Sequence, residues 1–161
     1  MSVIGQRFMA PCAAHLFLLH GDDVLLLRRA NTGYEDGEYS VIAGHLDGDE
    51  EVVTAMIREA REEAGVTLAP EDMRVVGVMH RKSNDERIDF FLVARQWHGA
   101  VVNAEPHKCA ELAWRPLDGL PEDIIPYVRR TLTLTFHTDR ERTSGGASSG
   151  SVWFESYGWN A

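Results

Sequence analysis

The segment Asp49 to Ala64 constrains the fold of this chain more than any other. Val53, Met56, Ile57, Ala60 and Ala64 recur at three- and four-residue spacing, the period of a helix with one buried stripe. Gly65 stands where a left-handed C-terminal cap is expected. At about 100° per residue, Glu59, Glu62 and Glu63 fall within an arc of roughly 100° on adjacent turns, and the apolar stripe lies roughly 120° to one side. One helix therefore has to serve a core with one face and present a carboxylate ridge with another.

The segments around it read mainly as strands. Phe8–Leu19 and Val24–Arg29 are apolar runs joined by the turn signal His20-Gly21-Asp22-Asp23, which predicts a hairpin. Tyr39–Ala43, Met73–His80, Ile88–Trp97 and Glu111–Leu117 are further strand candidates, with polar loops at Ala30–Glu38, Gly44–Gly48 and Gly99–Lys108 and a charged turn at Arg81–Arg87. A second helix is expected to open at Leu120-Pro121 and to run through Tyr127, Val128 and Leu132 towards Phe136. Strands interspersed with two helices predict an α/β fold with a mixed sheet covered by helices. Thr143–Ser151 is a Gly/Ser-rich linker, and the aromatic residues after it either dock as an edge strand or form a mobile tail; burial of Trp153 and Phe154 favours docking.

The chain has 161 residues, 44% hydrophobic and 25% charged, enough for one domain with a core that needs no disulfide staples. Sixteen basic against 25 acidic residues give a net charge of −9. That balance argues against a nucleic-acid polymer as partner, and an acidic protein that handles phosphates needs a local device such as a bound cation. No apolar run approaches the ~18 residues of a membrane span, so no membrane partner is expected. Met1–Arg7 lacks the layout of a signal peptide, and Cys12 and Cys109 are too few for a disulfide framework or a zinc site; reduced thiols in a cytoplasmic protein are expected.

Two readings of the carboxylate ridge compete. A Glu-rich helix face is ordinarily a solvated surface. Here, however, Glu59–Glu63 and Glu59–Glu62 are like-charge pairs at i,i+4 and i,i+3, and each destabilises an isolated helix by a few tenths of a kcal/mol. Arg58 can relieve Glu62 at i,i+4, but no basic residue lies three or four positions from Glu59. A divalent cation converts that repulsion into binding energy, and oxygen ligands suit Mg²⁺, with Mn²⁺ as an alternative.

The run continues the pattern on both sides of the helix: Gly44, five residues, Glu50, seven residues, then Arg58-Glu59-Ala60-Arg61-Glu62-Glu63-Ala64-Gly65-Val66. This matches the Nudix box at every fixed position, and the chain resembles the Nudix (MutT-like) pyrophosphohydrolases over roughly residues 8 to 136. Ile42-Ala43-Gly44 stands where many members have Pro-Gly-Gly. The resemblance implies an α/β/α sandwich with a mixed sheet and a loop–helix–loop catalytic motif, over a domain at 1–142 followed by the linker and aromatic segment at 143–161. It implies metal ligation by Glu59, Glu62 and Glu63, with backbone from Gly44 close to metal or phosphate, and one of the glutamates also serving as base. Arg58 then orients the carboxylates, and Glu50 acts from the helix start.

The implied reaction is Mg²⁺-dependent hydrolysis of a phosphoanhydride in a small nucleotide, by a monomer or homodimer. A nucleoside triphosphate or oxidised dNTP is expected as substrate, giving monophosphate and pyrophosphate. ADP-ribose or another nucleoside diphosphate derivative is the alternative substrate, and a non-catalytic nucleotide-binding module the alternative class. A further acidic group is expected in a loop beyond the box, either Glu105, whose position suits a mobile base, or Glu111. Arg28, Arg29, Arg81 and Lys82 are candidates for phosphate contacts, and Phe8, Tyr39, Trp97 and Trp114 for core or base stacking. His45 is the histidine expected near the site, while Cys109 and the serines are expected bystanders.

Overall fold

The computed structural model describes residues 5–143 and 151–160, with side chains described up to His137 in the first span. Eight strands and two α-helices follow one another as β1 (Cys12–His20), β2 (Asp23–Arg29), β3 (Tyr39–Ser40), β4 (Ile42–His45), α1 (Val52–Ala64), β5 (Met73–Lys82), β6 (Glu86–Ala94), β7 (Cys109–Pro116), α2 (Pro126–Thr143) and β8 (Trp153–Tyr157). A short 3₁₀ turn, Pro70–Asp72, precedes β5.

The sheet is built outward from β1, and it is mixed. At its C-terminal end β1 turns back into β2, pairing Leu19 with Val24. One edge of β1 pairs antiparallel with β4, His15 opposite Ala43, and the other pairs parallel with β6 from Cys12–Ile88 to Leu18–Ala94. Beyond β6 come β5, antiparallel, and β8, parallel to β5. The β2 side carries β3 and β7, both antiparallel to it.

β1 is buried on both faces, which is why its sequence is a continuous apolar run rather than an alternation. Leu16 and Leu18 face Met56, Ala60 and Ala64 of α1, together with Ile42 and Leu92. Phe17 and Leu19 face Val128 and Leu132 of α2, with Met79 and Phe91. The helices thus cover opposite faces of one sheet, as an α/β/α sandwich requires.

Several expected boundaries shift, each for a local reason. Phe8 and Met9 are 70% and 83% exposed, and the strand starts only at Cys12, after Pro11, which has no N–H to give a ladder. Tyr39–Ala43 is two strands with different partners: Tyr39–Ser40 pairs with β2, whereas Ile42–His45 pairs with β1 and carries Gly44 inside it. α1 begins at Val52, not Asp49, because Gly48 and Asp49 have φ of 85° and 51°, outside the helical region. Glu51 is its N-cap, accepting from the Thr54 amide at 3.1 Å. The expected turn at 81–87 is shorter, since β5 reaches Lys82 and β6 starts at Glu86.

α2 begins at Pro126 rather than Leu120. A turn at Glu122–Asp123 and a single bridge residue, Ile124, tie the preceding chain to β3, with Tyr39 N–H donating to Asp123 O at 2.8 Å and Ile125 N–H to Tyr39 O at 3.0 Å. Proline then takes the first helical position, where its missing N–H costs nothing.

The linker expected at Thr143–Ser151 lies mostly outside the described residues. The aromatic segment beyond it forms β8. Trp153 lies against Phe91, its ring centroid 5.3 Å away, and its indole N–H donates to Thr135 Oγ1 at 3.0 Å. Glu155 accepts from Arg130 at 2.7 and 2.8 Å. A Cβ on Gly77 of β5 would overlap the Trp153 indole, so glycine at this position is a condition for β8 to dock. Gly77→Val is expected to release β8 while leaving the rest of the sheet folded. Hydrogen exchange checks this: amides of Trp153–Tyr157 should lose protection by at least about tenfold, while those of β1 and β6 keep theirs.

Candidate active site

The loop 44–51 and helix α1 are locked together by one side chain. Arg58 donates from Nη1 to Glu59 Oε1 at 2.8 Å and to Glu62 Oε2 at 3.4 Å. Its Nη2 donates to Glu50 Oε1 at 2.8 Å and to the His45 carbonyl at 3.1 Å, and also lies 3.3 Å from Asp47 Oδ2. Glu50 in turn accepts from the Asp47 amide at 2.9 Å. The partnership expected from helix spacing, Arg58 with Glu62, is the longest of these contacts, and Glu59 does have a basic partner, the residue just before it. The long guanidinium reaches between neighbours that their Cβ directions alone hold apart. Those contacts raise the Arg58 pKa, with the Glu50 hydrogen bond the largest cause.

The three ridge glutamates occupy different surroundings. Glu59 is buried, and desolvation raises its pKa against the opposing influence of Arg58. Glu63 is partly buried; desolvation pushes its pKa well above the ordinary carboxyl value, although Ala43 N–H donates to its Oε2 at 3.1 Å. Glu62 is half exposed. A Cβ at Gly44 would fall on the Glu59 carboxylate, so only glycine lets the β4 backbone come this close to the ridge.

These groups line one side of a cavity of about 810 Å³, together with Glu105 from the loop before β7. The charge of Glu105 raises the pKa of both Glu59 and Glu63. Its own carboxylate is 3.8 Å from Lys108 Nζ. Glu111 is placed elsewhere: on β7 it accepts from Tyr39 Oη at 2.9 Å and Arg115 at 3.3 Å. His45 lines the cavity, as does Cys109, a buried thiol.

Among the described residues no three His, Cys, Asp or Glu side chains converge closely enough to chelate an ion in this arrangement. The ridge nevertheless suits a hard cation. It offers carboxylate oxygens, two of them desolvated and mutually repelling, next to a strand backbone that glycine leaves uncovered.

The remaining candidates divide. Arg29 and Arg81 line the cavity. Arg29 donates to the Tyr34 carbonyl at 2.7 Å and to Thr32 Oγ1 at 3.0 Å, whereas Arg28 pairs with Asp123 at 3.0 Å and Lys82 lies over Trp159. Tyr39 is core, Trp97 and Trp114 stack on each other away from the cavity, and Phe8 is exposed. The aromatic rings that do line it, Tyr34 and Tyr127, and the buried His15 were not among the candidate site residues; Tyr127 was expected only as a helix position. The one available sign was chemical: His15 and Asp89 interrupt otherwise apolar strands.

A family model described as NUDIX domain matches residues 9–135, and the chain belongs to the Nudix family. It is 30% identical over 108 residues to the 8-oxo-dGDP phosphatase NUDT18 of Homo sapiens, a match covering 66% of this chain and 32% of that protein. The chain thus spans about a third of the length of that curated relative. Among solved structures, the MutT NUDIX hydrolase of Burkholderia pseudomallei superposes with a TM-score of 0.72 at 23% identity, covering 78% of this chain and 97% of that one. A NUDIX hydrolase of Nitrosomonas europaea superposes at 0.69 with 18% identity, over 93% of this chain and 81% of that one. At these identities the likeness establishes the fold.

His15 sets a pH dependence. Burial holds its imidazole at about 4, the effect of its surroundings outweighing the nearby Asp89 charge. A group near 6.5 in the unfolded chain and about 4 in the folded one contributes its full stability above pH 6.5 and loses it as the pH falls to about 4. The loss amounts to about 3 kcal/mol. Urea unfolding from pH 7 to pH 4 is expected to show that decline in the native chain and a shallower one in His15→Gln. Equal slopes would place the dependence on other groups.

Proposed function

We propose that this domain is a Mg²⁺-dependent pyrophosphohydrolase that cleaves a phosphoanhydride of a nucleoside triphosphate or oxidised dNTP, releasing monophosphate and pyrophosphate. The observation that carries this reading is the ridge of Glu59, Glu62 and Glu63, braced through Arg58, which lines one cavity of nucleotide size together with Glu105. A second substrate class, a nucleoside diphosphate derivative, is favoured by the likeness to the human 8-oxo-dGDP phosphatase NUDT18. The free thiols Cys12 and Cys109 fit a reducing, cytoplasmic setting. Among the described residues no helix is long and apolar enough to cross a membrane.

In this reading Glu59, Glu62 and Glu63 hold the divalent cation, with Gly44 leaving the backbone beside them open. A bound Mg²⁺ supplies charge neutralisation of the phosphates and acidification of a water. The residues of the chain do the rest. Arg58 keeps Glu59 and Glu62 in one orientation, so that little reorganisation is needed when substrate enters. Glu105 is the side chain we assign to take the proton from the attacking water; it sits on a loop and has only the 3.8 Å contact with Lys108 as an ion pair among the described residues. Arg29, held by Tyr34 and Thr32, lines the same cavity, near enough for its charge to act on Glu63, and is the side chain we assign to meet the phosphates. Cys109 takes no part, since burial raises its pKa and keeps it a thiol.

The test is a nucleotide panel with Mg²⁺ or Mn²⁺ and chromatographic resolution of products. Hydrolysis of triphosphates, abolished by EDTA and restored by excess Mg²⁺, is expected; a blank across the panel would favour a binding module. Glu62→Gln should lower turnover at least about tenfold with its melting curve preserved, because a half-exposed carboxylate contributes little to folding.

Gly44→Ala separates the backbone from the ridge. The three atoms nearest the added methyl all belong to the Glu59 carboxylate, which must turn away from it, so stability should fall by about 1 kcal/mol. Turnover should fall at least about tenfold as the Glu59 carboxylate is displaced. Native turnover in this variant would remove the approach of β4 to Glu59 from the mechanism.

A further inference from the structure

The C-terminal segment does more than cover the edge of β5. The parallel ladder of β8 with β5 runs from Gly77–Trp153 to Arg81–Tyr157 and ends there. At Gly158 the chain turns with φ of 79°, and it comes so close to β5 that a Cβ on this glycine would overlap the Lys82 carbonyl oxygen. Trp159 then settles on the last residues of β5. Its indole N–H donates to the His80 carbonyl at 2.9 Å, its ring centroid lies 4.5 Å from that of the His80 imidazole, and Lys82 Nζ lies 5.8 Å from the centroid of the same indole. His80 Nε2 is in turn 2.8 Å from Glu86 Oε1, at the start of β6. Trp159 is thus tied to both strands of the β5–β6 hairpin just where they turn.

That turn is part of the cavity wall, since Ser83, Asn84 and Asp85 line the cavity between Arg81 and Arg87. Its own bonds are local: Ser83 N–H donates to Asp85 O at 2.9 Å, and Arg87 donates to the Asp85 carboxylate at 2.9 and 2.7 Å. These bonds shape the turn but do not fix where it stands on the sheet. Its stance depends on the hairpin end, where Lys82 pairs with Glu86, and a hairpin end is a part of a sheet that opens readily. Covering the edge of β5 needs only the strand β8. Gly158 and Trp159 add nothing to that ladder, and their contacts go to His80 and Lys82, the base of the turn. The strand order β4–β1–β6–β5 puts this base three strand spacings from Gly44, or ~14 Å, so the turn meets the part of a ligand that lies away from the glutamates.

We infer that Trp159 is a positioning residue for nucleotide binding: seated on His80 and Lys82, it fixes the turn 83–85 as a wall of the cavity. Binding and seating are then coupled in both directions. A seated tail favours the ligand, and a bound ligand favours the seated tail by the same factor. Trp159 does not itself line the cavity, and the turn it steadies is remote from the ridge, so its influence falls on binding rather than on the chemical step. The inference rests on the cavity being the nucleotide site of the proposed hydrolase.

Two variants of the full chain unseat the indole by different means. Trp159→Ala removes the ring, whereas Gly158→Ala keeps it and drives a methyl against the Lys82 carbonyl. Phe154→Ala is the control, on the same strand but 68% exposed. Hydrogen exchange should show the Ser83 amide losing protection at least about fivefold in both variants, with β1 and β6 unchanged and the control as native. Titration with Mg²⁺ and the non-hydrolysable α,β-methylene analogues of dATP and dGTP needs no turnover. Affinity should be weaker at least about fivefold in both variants and native in the control. With hydrolysed substrates KM should rise by the same factor while kcat stays within about twofold. In the native chain, saturating analogue should slow exchange of the Trp159 amide.

A merely structural role would lower the melting temperature and leave affinity and KM of the folded variants native; that result overturns the inference, as does a loss confined to kcat or an unchanged Ser83 amide. Weaker analogue binding in both variants without any hydrolysis supports it and overturns only the hydrolase reading. Hydrolysis with both variants indistinguishable from native overturns the role of Trp159 and leaves the hydrolase reading intact. Binding of neither analogue to the native chain overturns both.

Discussion

Arg58 lies within 3.4 Å of Asp47, Glu50, Glu59 and Glu62, and the geometry of the site depends on that fan of contacts. Four acidic groups around one point would repel one another, and the loop after β4, which contains Gly48, makes no ladder with the sheet. The guanidinium settles both problems because its five donors diverge in a plane. It satisfies Glu50 and the His45 carbonyl on the loop side and Glu59 and Glu62 on the helix side. A lysine, with three donors on one atom, could not span these partners. The Ala43–Glu63 bond is a second tie between β4 and α1, so the strand backbone and the ridge are held in one register from both ends.

The same constraint explains why the ridge tolerates desolvated carboxylates. Glu59 and Glu63 would be easier to bury as neutral acids, and burial moves both in that direction. They stay near each other because the apolar side of α1 is committed to the core through Met56, Ala60 and Ala64. Packing of one face therefore fixes the strained electrostatics of the other. A divalent ion is the kind of ligand that relieves that strain without any change in the packing.

Local order explains what could be seen in the amino-acid pattern. α1, its Gly65 cap and the strands β1, β2, β5, β6 and β7 depend on neighbours a few residues apart, and periodicity exposes them. The ridge was legible for the same reason, since Glu59, Glu62 and Glu63 lie within one and a half turns. The helix start was not, because a left-handed Asp49 has no period to betray it. The opposite wall of the cavity was less accessible still. His15 meets Tyr127 across the whole length of the domain, and Arg81 meets Asp89 across a hairpin whose register slips at a bulge near Val75. The first pairing comes from the seating of α2 against β1, which leaves no short-range mark; the second is local to the β5–β6 hairpin but needs its exact register, Met79 opposite Asp89, to be known. Pro126 belonged to the helix start, but the turn and bridge before it are set by hydrogen bonds to Tyr39, nearly ninety positions upstream.

Charge is handled oppositely at the two ends of the cavity, and this bears on how a chain of net charge −9 can accept an anion. At the ridge, acidic groups outnumber their cations: Arg58 serves four carboxylates, and Glu63 and Glu105 add further negative charge. At the far end each arginine has its own carboxylate, Arg81 with Asp89 and Arg87 with Asp85. A bare phosphate gains little at either place. In the proposed hydrolase, a phosphate accompanied by a divalent cation gains at the first. On that reading the overall acidic charge acts as a filter rather than an obstacle, because it disfavours anions that arrive without a metal.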